Sequence, residues 1–247
     1  MIYGKVLESM IEAEKSGRAY VCPNEDRKLF REMLREIRRT TGVDVRYLVE
    51  IDSFHIPGAG EVIARYITQF SSEGVKGYLI TSLVADKVKD CDKLILQLYE
   101  GFRRSEEYIS APGAPAPAYI YVRYDNAFKR LRPKRLAKEL TELAHDPRDA
   151  FYLPFTMRML ASWKLPEMES LLKGYLNSDA LTADELGIYS DDIYPKIDVI
   201  RRELKFTGIA GLKYYPSPET KALIEPFAGS ENKDLRMAAE RTLKAMP

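Results

Sequence analysis

Two stretches near the end of the chain carry the same residue pattern, 31 residues apart: residues 204–215, followed by Pro216, and residues 235–246, followed by Pro247. With the first Leu numbered 1, both have a basic residue at position 2, small residues at 5 and 8, Leu-Lys at 9 and 10, and a bulky apolar residue at 12. Positions 1, 5, 8, 9 and 12 fall on one face of a 3.6-residue helix. The pattern predicts two amphipathic helices whose small residues let a neighbouring helix approach closely.

Three earlier stretches, residues 75–84, 120–131 and 152–163, carry weaker copies of this pattern. A fixed period of about 30 to 45 residues is the signature of a solenoid. Two of the spacings between copies are close to 31 residues. The other two are longer, and their extra residues coincide with loop-like insertions near residues 105–118 and 177–194. We therefore expect about five copies with two insertions, whose position-9 residues are Leu83, Phe128, Leu160, Leu212 and Leu243.

The pattern resembles the HEAT repeat family of α-solenoids over roughly residues 57–247. The match is best at residues 235–246, which are similar to the second helix of such a repeat. A preceding helix begun near Pro218 or Pro166 completes the unit. The resemblance implies an all-α fold, a right-handed α-solenoid of about five HEAT-like helical hairpins. Residues 1–56 would then form an N-terminal helical cap or a degenerate repeat.

Three stretches do not follow the repeat pattern. Prolines at 112, 115 and 117 predict an extended loop over residues 110–118, because proline lacks a backbone donor and has a fixed φ. Residues 177–194, the acidic insertion, contain no Lys or Arg, and a capping-box pattern from Thr182 to Glu185 predicts a short helical turn within them. Residues 43–56 fit both the alternation of a strand and the spacing of a helix, and a solenoid favours the helix.

Composition restricts the class of protein more than its function. The 38 basic and 37 acidic residues leave a net charge of +1, which argues neither for nor against a nucleic-acid partner. Two cysteines are too few for a disulfide framework. Glu8, Glu12 and Glu14 interrupt any apolar core of a signal peptide, and no apolar run approaches the ~20 residues of a membrane span. We expect a cytoplasmic protein with no membrane partner.

No motif in the sequence proposes catalysis. His55 and His145 have no second ligand at metal-binding spacing, so no metal site is predicted. The sequence contains no nucleophile elbow and no glycine-rich phosphate loop. No catalytic residue and no cofactor are predicted, and a non-enzymatic role is favoured over an enzyme.

Two charged stretches are candidate binding surfaces. The basic stretch, residues 121–138, holds seven Lys and Arg against Asp125 alone. It suits an acidic partner or a phosphate backbone, but such a composition is also typical of a solvated helix junction. The acidic insertion is either a second surface or the counter-charge to the first. The candidate binding residues are Tyr121, Arg123, Tyr124, Lys129, Arg130, Arg132, Lys134 and Arg135, with Asp184, Glu185, Asp191 and Asp192.

Several tyrosines fall off the predicted buried face and are expected at the surface, where exposed tyrosine suits an interface: Tyr108, Tyr121, Tyr189 and Tyr194.

The HEAT-like resemblance implies a scaffold or adaptor that binds another protein, and an immunity protein against a secreted toxin is a specific version. The alternative is a nucleic-acid-binding protein, since one family of alkylpurine DNA glycosylases is built on HEAT-like repeats. Only the basic stretch and Trp163 could serve that role here, and Trp163 occupies the core position 12 of its copy. A nucleic-acid role predicts basic residues from several repeats on one face. Protein binding predicts a mixed or tyrosine-rich face.

Overall fold

Every regular element among the described residues is helical, and no strand occurs among them. The computed structural model describes residue 12 and residues 22–105, 115–186 and 196–246, with the backbone alone for residues 115–119. The predicted all-α class is confirmed. The chain divides into two compact units, the first ending at Leu131 and the second beginning at Arg132. No helix in the described ranges is long and apolar enough to cross a membrane.

The first unit contains the helices α1 (Arg27–Thr41), α2 (Leu48–Ser53), α3 (Ala59–Tyr66), α4 (Glu73–Ala85), α5 (Cys91–Arg103) and α6 (Pro115–Leu131). The second unit contains α7 (Ala137–Ala144), α8 (Pro147–Tyr152), α9 (Pro154–Ser162), α10 (Pro166–Leu176), α11 (Ile197–Leu212), α12 (Pro218–Ala228) and α13 (Lys233–Ala245). Short 3-10 turns lie at Ile67–Gln69, Lys134–Leu136 and Ser178–Ala180.

Helix α4 is central to the first unit and packs against α2, α3, α5 and α6. Its apolar residues point in several directions and are fully enclosed, which suits a helix surrounded by neighbours. The Ser72 hydroxyl caps the helix by accepting from the backbone N–H of Val75 at 3.3 Å. The buried carboxylate of Asp26 accepts from the backbone N–H groups of Ser71 and Ser72 at 3.0 and 2.9 Å. This carboxylate therefore ties the start of α1 to the start of α4.

Helix α11 has the corresponding place in the second unit and packs against α8, α9, α10 and α13. Its approach to α10 is close: a Cβ at Gly208 would lie 2.7 Å from the carbonyl oxygen of Leu172, and one at Gly211 would lie 2.7 Å from a methyl carbon of Leu172. The prediction that small residues at positions 5 and 8 allow close helix packing is confirmed here. The predicted buried face is confirmed at Leu204, Gly208, Gly211 and Leu212 of α11 and at Leu235, Ala239, Thr242 and Met246 at α13, whereas Tyr215 and Leu243 are only half-buried.

Two predicted helix boundaries are wrong, and proline explains both. The predicted loop over residues 110–118 is wrong from residue 115 onward, because α6 begins at Pro115. Pro115 and Pro117 lie in the first turn, where backbone N–H groups have no partner within the helix. Residues 152–163 were expected to form one helix, but Leu153, at φ −115° and ψ 49°, separates α8 from α9. A residue before proline avoids the helical conformation, and Pro154 follows.

The other segment predictions have mixed outcomes. Residues 48–53 of the ambiguous stretch form α2, in favour of a helix. Within the acidic insertion the predicted turn is confirmed, since the N–H of Leu186 donates to the carbonyl of Thr182 at 3.2 Å. Residues 106–114 and 187–195 lie outside the described residues. The division into a cap of residues 1–56 and repeats from residue 57 stays a prediction.

Candidate binding grooves

Helices α9, α11 and α13 border an open groove of about 540 Å³, called here the second-unit groove. Four basic side chains line it, contributed by all three helices and the residue after α11: Arg158, Arg202, Lys213 and Arg241. Two carboxylates and several apolar side chains complete it: Glu203 and Asp234, with Phe206, Leu235, Met237 and Ala238. The groove is therefore mixed in character, with basic residues in excess of acidic ones.

Aromatic rings lie beside two of these cations. The guanidinium of Arg158 is 4.6 Å from the ring centre of Phe155, and its Nε donates to the carbonyl of Pro154 at 3.0 Å. The ammonium of Lys213 is 4.8 Å from the ring centre of Tyr214. Phe155 is 37% exposed, which is unusual for a large apolar side chain. Arginine beside exposed aromatic rings is the composition that protein interfaces favour.

Only one of the four cations has a carboxylate partner among the described residues. Arg202 pairs with its neighbour Glu203 at 3.2 Å, and both side chains are well exposed, at 40% and 45%. No described carboxylate lies within salt-bridge distance of Arg158, Lys213 or Arg241. An exposed ion pair contributes little to stability, so the groove keeps cationic groups available to a ligand.

Helices α2, α4 and α6 border a comparable groove of about 460 Å³, called here the first-unit groove. At its centre the guanidinium of Arg123 binds both carboxylate oxygens of Asp52, with Nη2 to Oδ2 at 2.9 Å. The hydroxyl of Thr81 donates to Asp52 at 3.0 Å, and the Arg123 guanidinium lies 4.1 Å from the ring centre of Tyr78. The two charged side chains are 9% and 15% exposed. This ion pair joins α6 to α2, and each of its two charges neutralises the other.

Several residues that line the two grooves occupy the same positions of the sequence pattern. Position 7 contributes Thr81 and Asn126 to the first-unit groove and Arg158, Ala210 and Arg241 to the second. Position 3 contributes Val122 to the first, and Phe206 and Met237 to the second. Positions 3, 7 and 10 share a helix face beside the buried one. Sequence reasoning missed this face because it followed only the apolar positions, although Arg at position 7 of two copies was visible.

The aromatic residues of the basic stretch are not at the surface. Tyr121 is 2% exposed, and its ring centre lies 4.9 Å from that of Phe102. Tyr124 is fully buried, with its ring centre 5.1 Å from that of Tyr99. The expectation that Tyr121 is exposed is therefore wrong, and neither tyrosine can contact a partner directly. The sequence spacing could have predicted this burial, because Tyr121, Tyr124 and Phe128 are spaced i, i+3 and i+7 and share one face of α6.

The basic residues of this stretch differ in their exposure, their partners and the unit to which they belong. Arg123 forms an ion pair with Asp52, so it is not an open cation of the basic stretch, contrary to its selection as a binding residue. Lys129 and Arg130 are exposed and border the first-unit groove. Three residues of the second unit, Arg132, Lys134 and Arg135, are exposed, and Arg132 donates to the hydroxyl of Ser162 at 3.3 Å. The basic stretch thus contributes to both units.

The acidic insertion is only partly described. Asp184 and Glu185 are exposed, and the Glu185 carboxylate accepts from the backbone N–H and the hydroxyl of Thr182 at 2.7 and 2.9 Å. These hydrogen bonds lower the pKa of Glu185. Asp179 pairs with Lys205 of α11, so its counter-charge is not in the basic stretch. Asp191 and Asp192 lie outside the described residues, as do Tyr108, Tyr189 and Tyr194.

The described residues contain no group of three or more His, Cys, Asp or Glu side chains that could hold a metal ion. His55 instead lies with Nε2 2.7 Å from a carboxylate oxygen of Asp86, whose other oxygen accepts from the N–H of Gly60 at 2.6 Å. Cys22 and Cys91 are both buried and form no disulfide with each other.

No protein-family model matches the chain, and no match is found among curated proteins or solved structures. The function of the two grooves must therefore follow from their own residues.

Proposed function

We propose that the protein is a HEAT-like helical-repeat solenoid that acts as a non-enzymatic binding protein. The sequential packing of α9, α11 and α13, and of α2, α4 and α6, supports this architecture. The hairpin-like packing of α3 with α4, α10 with α11 and α12 with α13 supports it further. In a solenoid, equivalent positions of successive repeats lie side by side on one face. The recurrence of positions 3 and 7 along both grooves fits that expectation.

The partner is an acidic, partly apolar segment of another protein, and it binds in the second-unit groove. The observation that carries this proposal is the combination of four cations with an apolar lining in a single groove. The cations attract carboxylates of the partner, while Phe206 and Met237 accept its apolar side chains. Charge steers the encounter and selects the partner, and burial of apolar surface supplies most of the affinity.

The mixed lining favours a protein over a nucleic acid in this groove. Glu203 and Asp234 would face a phosphate backbone with like charge. An alkylpurine DNA glycosylase, the alternative from sequence, needs an aromatic residue in contact with a base. Trp163 lines neither groove and is only half-exposed. A toxin-neutralising immunity protein remains a specific version of the protein-binding proposal.

Affinity capture with matched charge-reversal variants tests the proposal. The immobilised protein is used to capture partners from cells that express it, beside Arg158→Glu/Arg241→Glu in the second-unit groove and Lys129→Glu/Arg130→Glu in the first. Each change replaces two cations by two carboxylates; Arg241, Lys129 and Arg130 are exposed, and Arg158 is half-buried. We expect a captured protein that Arg158→Glu/Arg241→Glu no longer binds and that Lys129→Glu/Arg130→Glu still binds. Its binding should then be measured by calorimetry with the purified partner.

Two results would contradict this function. If the partner is lost with Lys129→Glu/Arg130→Glu and kept with Arg158→Glu/Arg241→Glu, the binding site is not the second-unit groove. If only nucleic acid is captured, and nuclease treatment removes everything bound, the protein-binding function itself is wrong. Circular dichroism of each variant must show unchanged helicity for the comparison to hold.

A further inference from the structure

Helix α1 presents a strip of positive charge that neither groove includes. Its apolar face, with Phe30, Met33 and Ile37, is buried in the first unit, so its opposite face is directed to solvent. On that face Arg27, Arg31 and Arg35 follow one another at intervals of four residues, which is about 6 Å along a helix axis. Lys28 lies beside them, and all four side chains are exposed. With Asn24 and Glu32 they line a shallow depression of about 430 Å³, called here the α1 strip.

The charges of the α1 strip are not neutralised by the described part of the chain. No described carboxylate lies within salt-bridge distance of Arg27, Lys28, Arg31 or Arg35, whereas Arg38, further along the same helix, pairs with Asp44 at 3.6 Å. Glu32 is the only acidic residue among the described residues that line the depression. Like charges four residues apart destabilise a helix, so the strip is unfavourable in the free protein. An anionic ligand would remove this repulsion.

The composition of the strip points to phosphate groups. Three of its four cations are arginines, whose planar guanidinium binds a phosphate through two parallel hydrogen bonds. Among the described residues no aromatic ring lines the depression, and so this part of the lining offers none of the stacking platforms that single-stranded nucleic acids use. A helix lying on a membrane needs its apolar face free, and that of α1 is buried. A protein partner would need an apolar or aromatic anchor, and the described lining residues offer none.

We propose that the α1 strip binds the phosphate backbone of double-stranded nucleic acid without sequence preference. A duplex offers a regular row of phosphates and hides its bases, which matches a row of cations without a stacking surface. Four such contacts predict a slope of about −3.6 for the logarithm of the association constant against the logarithm of salt concentration. The affinity should then fall about 100-fold between about 50 and 200 mM salt.

Fluorescence anisotropy with a labelled DNA duplex tests this proposal. Arg31→Gln/Arg35→Gln should halve the slope, so that the affinity falls only about 10-fold over the same salt range. Lys233→Gln/Lys244→Gln removes the same charge from two exposed sites of the second unit outside the basic stretch and is the matched control. The control should bind the duplex as the unchanged protein does. All four substituted side chains are exposed, so neither variant should unfold at a lower temperature, and loss of like charges from the α1 strip should raise the unfolding temperature slightly.

Several outcomes would overturn the proposal. They are an absence of duplex binding at low salt, an equal loss in the control, or tighter binding of single-stranded DNA than of the duplex. Binding to vesicles containing phosphatidylserine but not to the duplex would assign the strip to a membrane surface. The variant Arg158→Glu/Arg241→Glu should keep duplex binding. If it loses duplex binding while Arg31→Gln/Arg35→Gln retains it, the second-unit groove is the nucleic-acid site, and the α1 strip has no such role.

Discussion

The two grooves share some positions of the sequence pattern but differ in the charges that line them. In the first-unit groove, position 7 holds the neutral Thr81 and Asn126, and the central cation is enclosed in a pair with Asp52. In the second-unit groove, position 7 holds Arg158 and Arg241, for which the described residues provide no carboxylate. A carboxylate on a neighbouring helix thus converts a potential binding cation into a structural cross-link. An arginine that lines a groove can therefore stabilise the fold in one unit, as Arg123 does at position 4, or lack a carboxylate partner among the described residues, as Arg158 and Arg241 do at position 7.

The largest expected effect follows from breaking the enclosed pair. Asp52→Ala leaves the mostly buried guanidinium of Arg123 without its carboxylate, so we expect a loss of about 3 kcal/mol in the free energy of unfolding. The matched change Arg202→Met breaks the exposed pair of the second-unit groove and should cost less than about 1 kcal/mol. Urea unfolding of both variants measures the two values. Equal losses would show that the two grooves do not differ in this way.

A smaller effect should distinguish helix packing in the two units. Gly208→Ala forces a Cβ to within 2.7 Å of the carbonyl oxygen of Leu172, and overpacking of this kind costs about 1–3 kcal/mol. Gly77→Ala in α4 meets side-chain atoms of Ile120 no nearer than 3.5 Å. This second change should stabilise the protein by about 0.5–1 kcal/mol through helix propensity. Thermal unfolding shifts of opposite sign are expected, and shifts of the same sign would contradict the difference in helix spacing.

Adding one cation to each groove should show whether the two grooves differ in ligand binding. Ala210 occupies position 7 between Arg158 and Arg241, and Ala210→Arg would complete a row of three cations in the second-unit groove. We expect a partner captured by this groove to bind about two- to fivefold more tightly at low salt, as for an exposed ion pair. The matched change Asn126→Arg in the first-unit groove should leave its affinity unchanged. Calorimetric titration at two salt concentrations checks both, and equal gains would mean that only the net charge matters.

The smallest expected effect concerns one carboxylate in each unit. The hydroxyl of Tyr66 donates to Glu36 at 2.6 Å and, with Arg65 and Arg39 nearby, lowers the pKa of Glu36 although desolvation raises it. A lowered pKa in the folded state means that Glu36 stabilises the fold above its ordinary pKa. This contribution is lost as the pH falls through the lowered value.

Tyr66→Phe should therefore raise the pKa of Glu36 and reduce the loss of stability on acidification. The pKa of Glu185, which Thr182 lowers in the second unit, should not move and serves as the internal control. Side-chain carboxyl shifts in an NMR titration measure both. A pKa of Glu36 that is unchanged in the variant would assign its lowering to the arginines instead.

Sequence reasoning succeeded where helix period alone decides the outcome. The buried faces of α11 and α13 and the close contact at Gly208 follow from apolar and small residues that recur with the helix period. It failed at prolines, because the same residue starts α6 at Pro115 and separates α8 from α9 at Leu153. A proline is compatible with the first turn of a helix and not with its interior, and spacing does not say where that turn begins.

The candidate site was less predictable than the fold. Helix packing decides which side chains of a basic stretch are buried, which form ion pairs and which are exposed. Within the basic stretch, Tyr121 and Tyr124 became core residues and Arg123 became part of a cross-link, while Lys129 and Arg130 stayed exposed. The second-unit groove brings together Arg158 and Arg241, which are 83 residues apart in the sequence, so no local run of charge indicates it.

The all-α class and most of the buried face of α11 and α13 follow from the amino-acid sequence, because both depend on residue type and a 3.6-residue period. Only the tertiary structure decided which charged groups are neutralised and which remain open. Arg123 meets Asp52 across 71 residues of chain, and the carboxylate of Asp26 reaches the start of α4 across 45. Such pairs depend on which helices become neighbours and on the distance between them. The local pattern of one helix contains neither quantity.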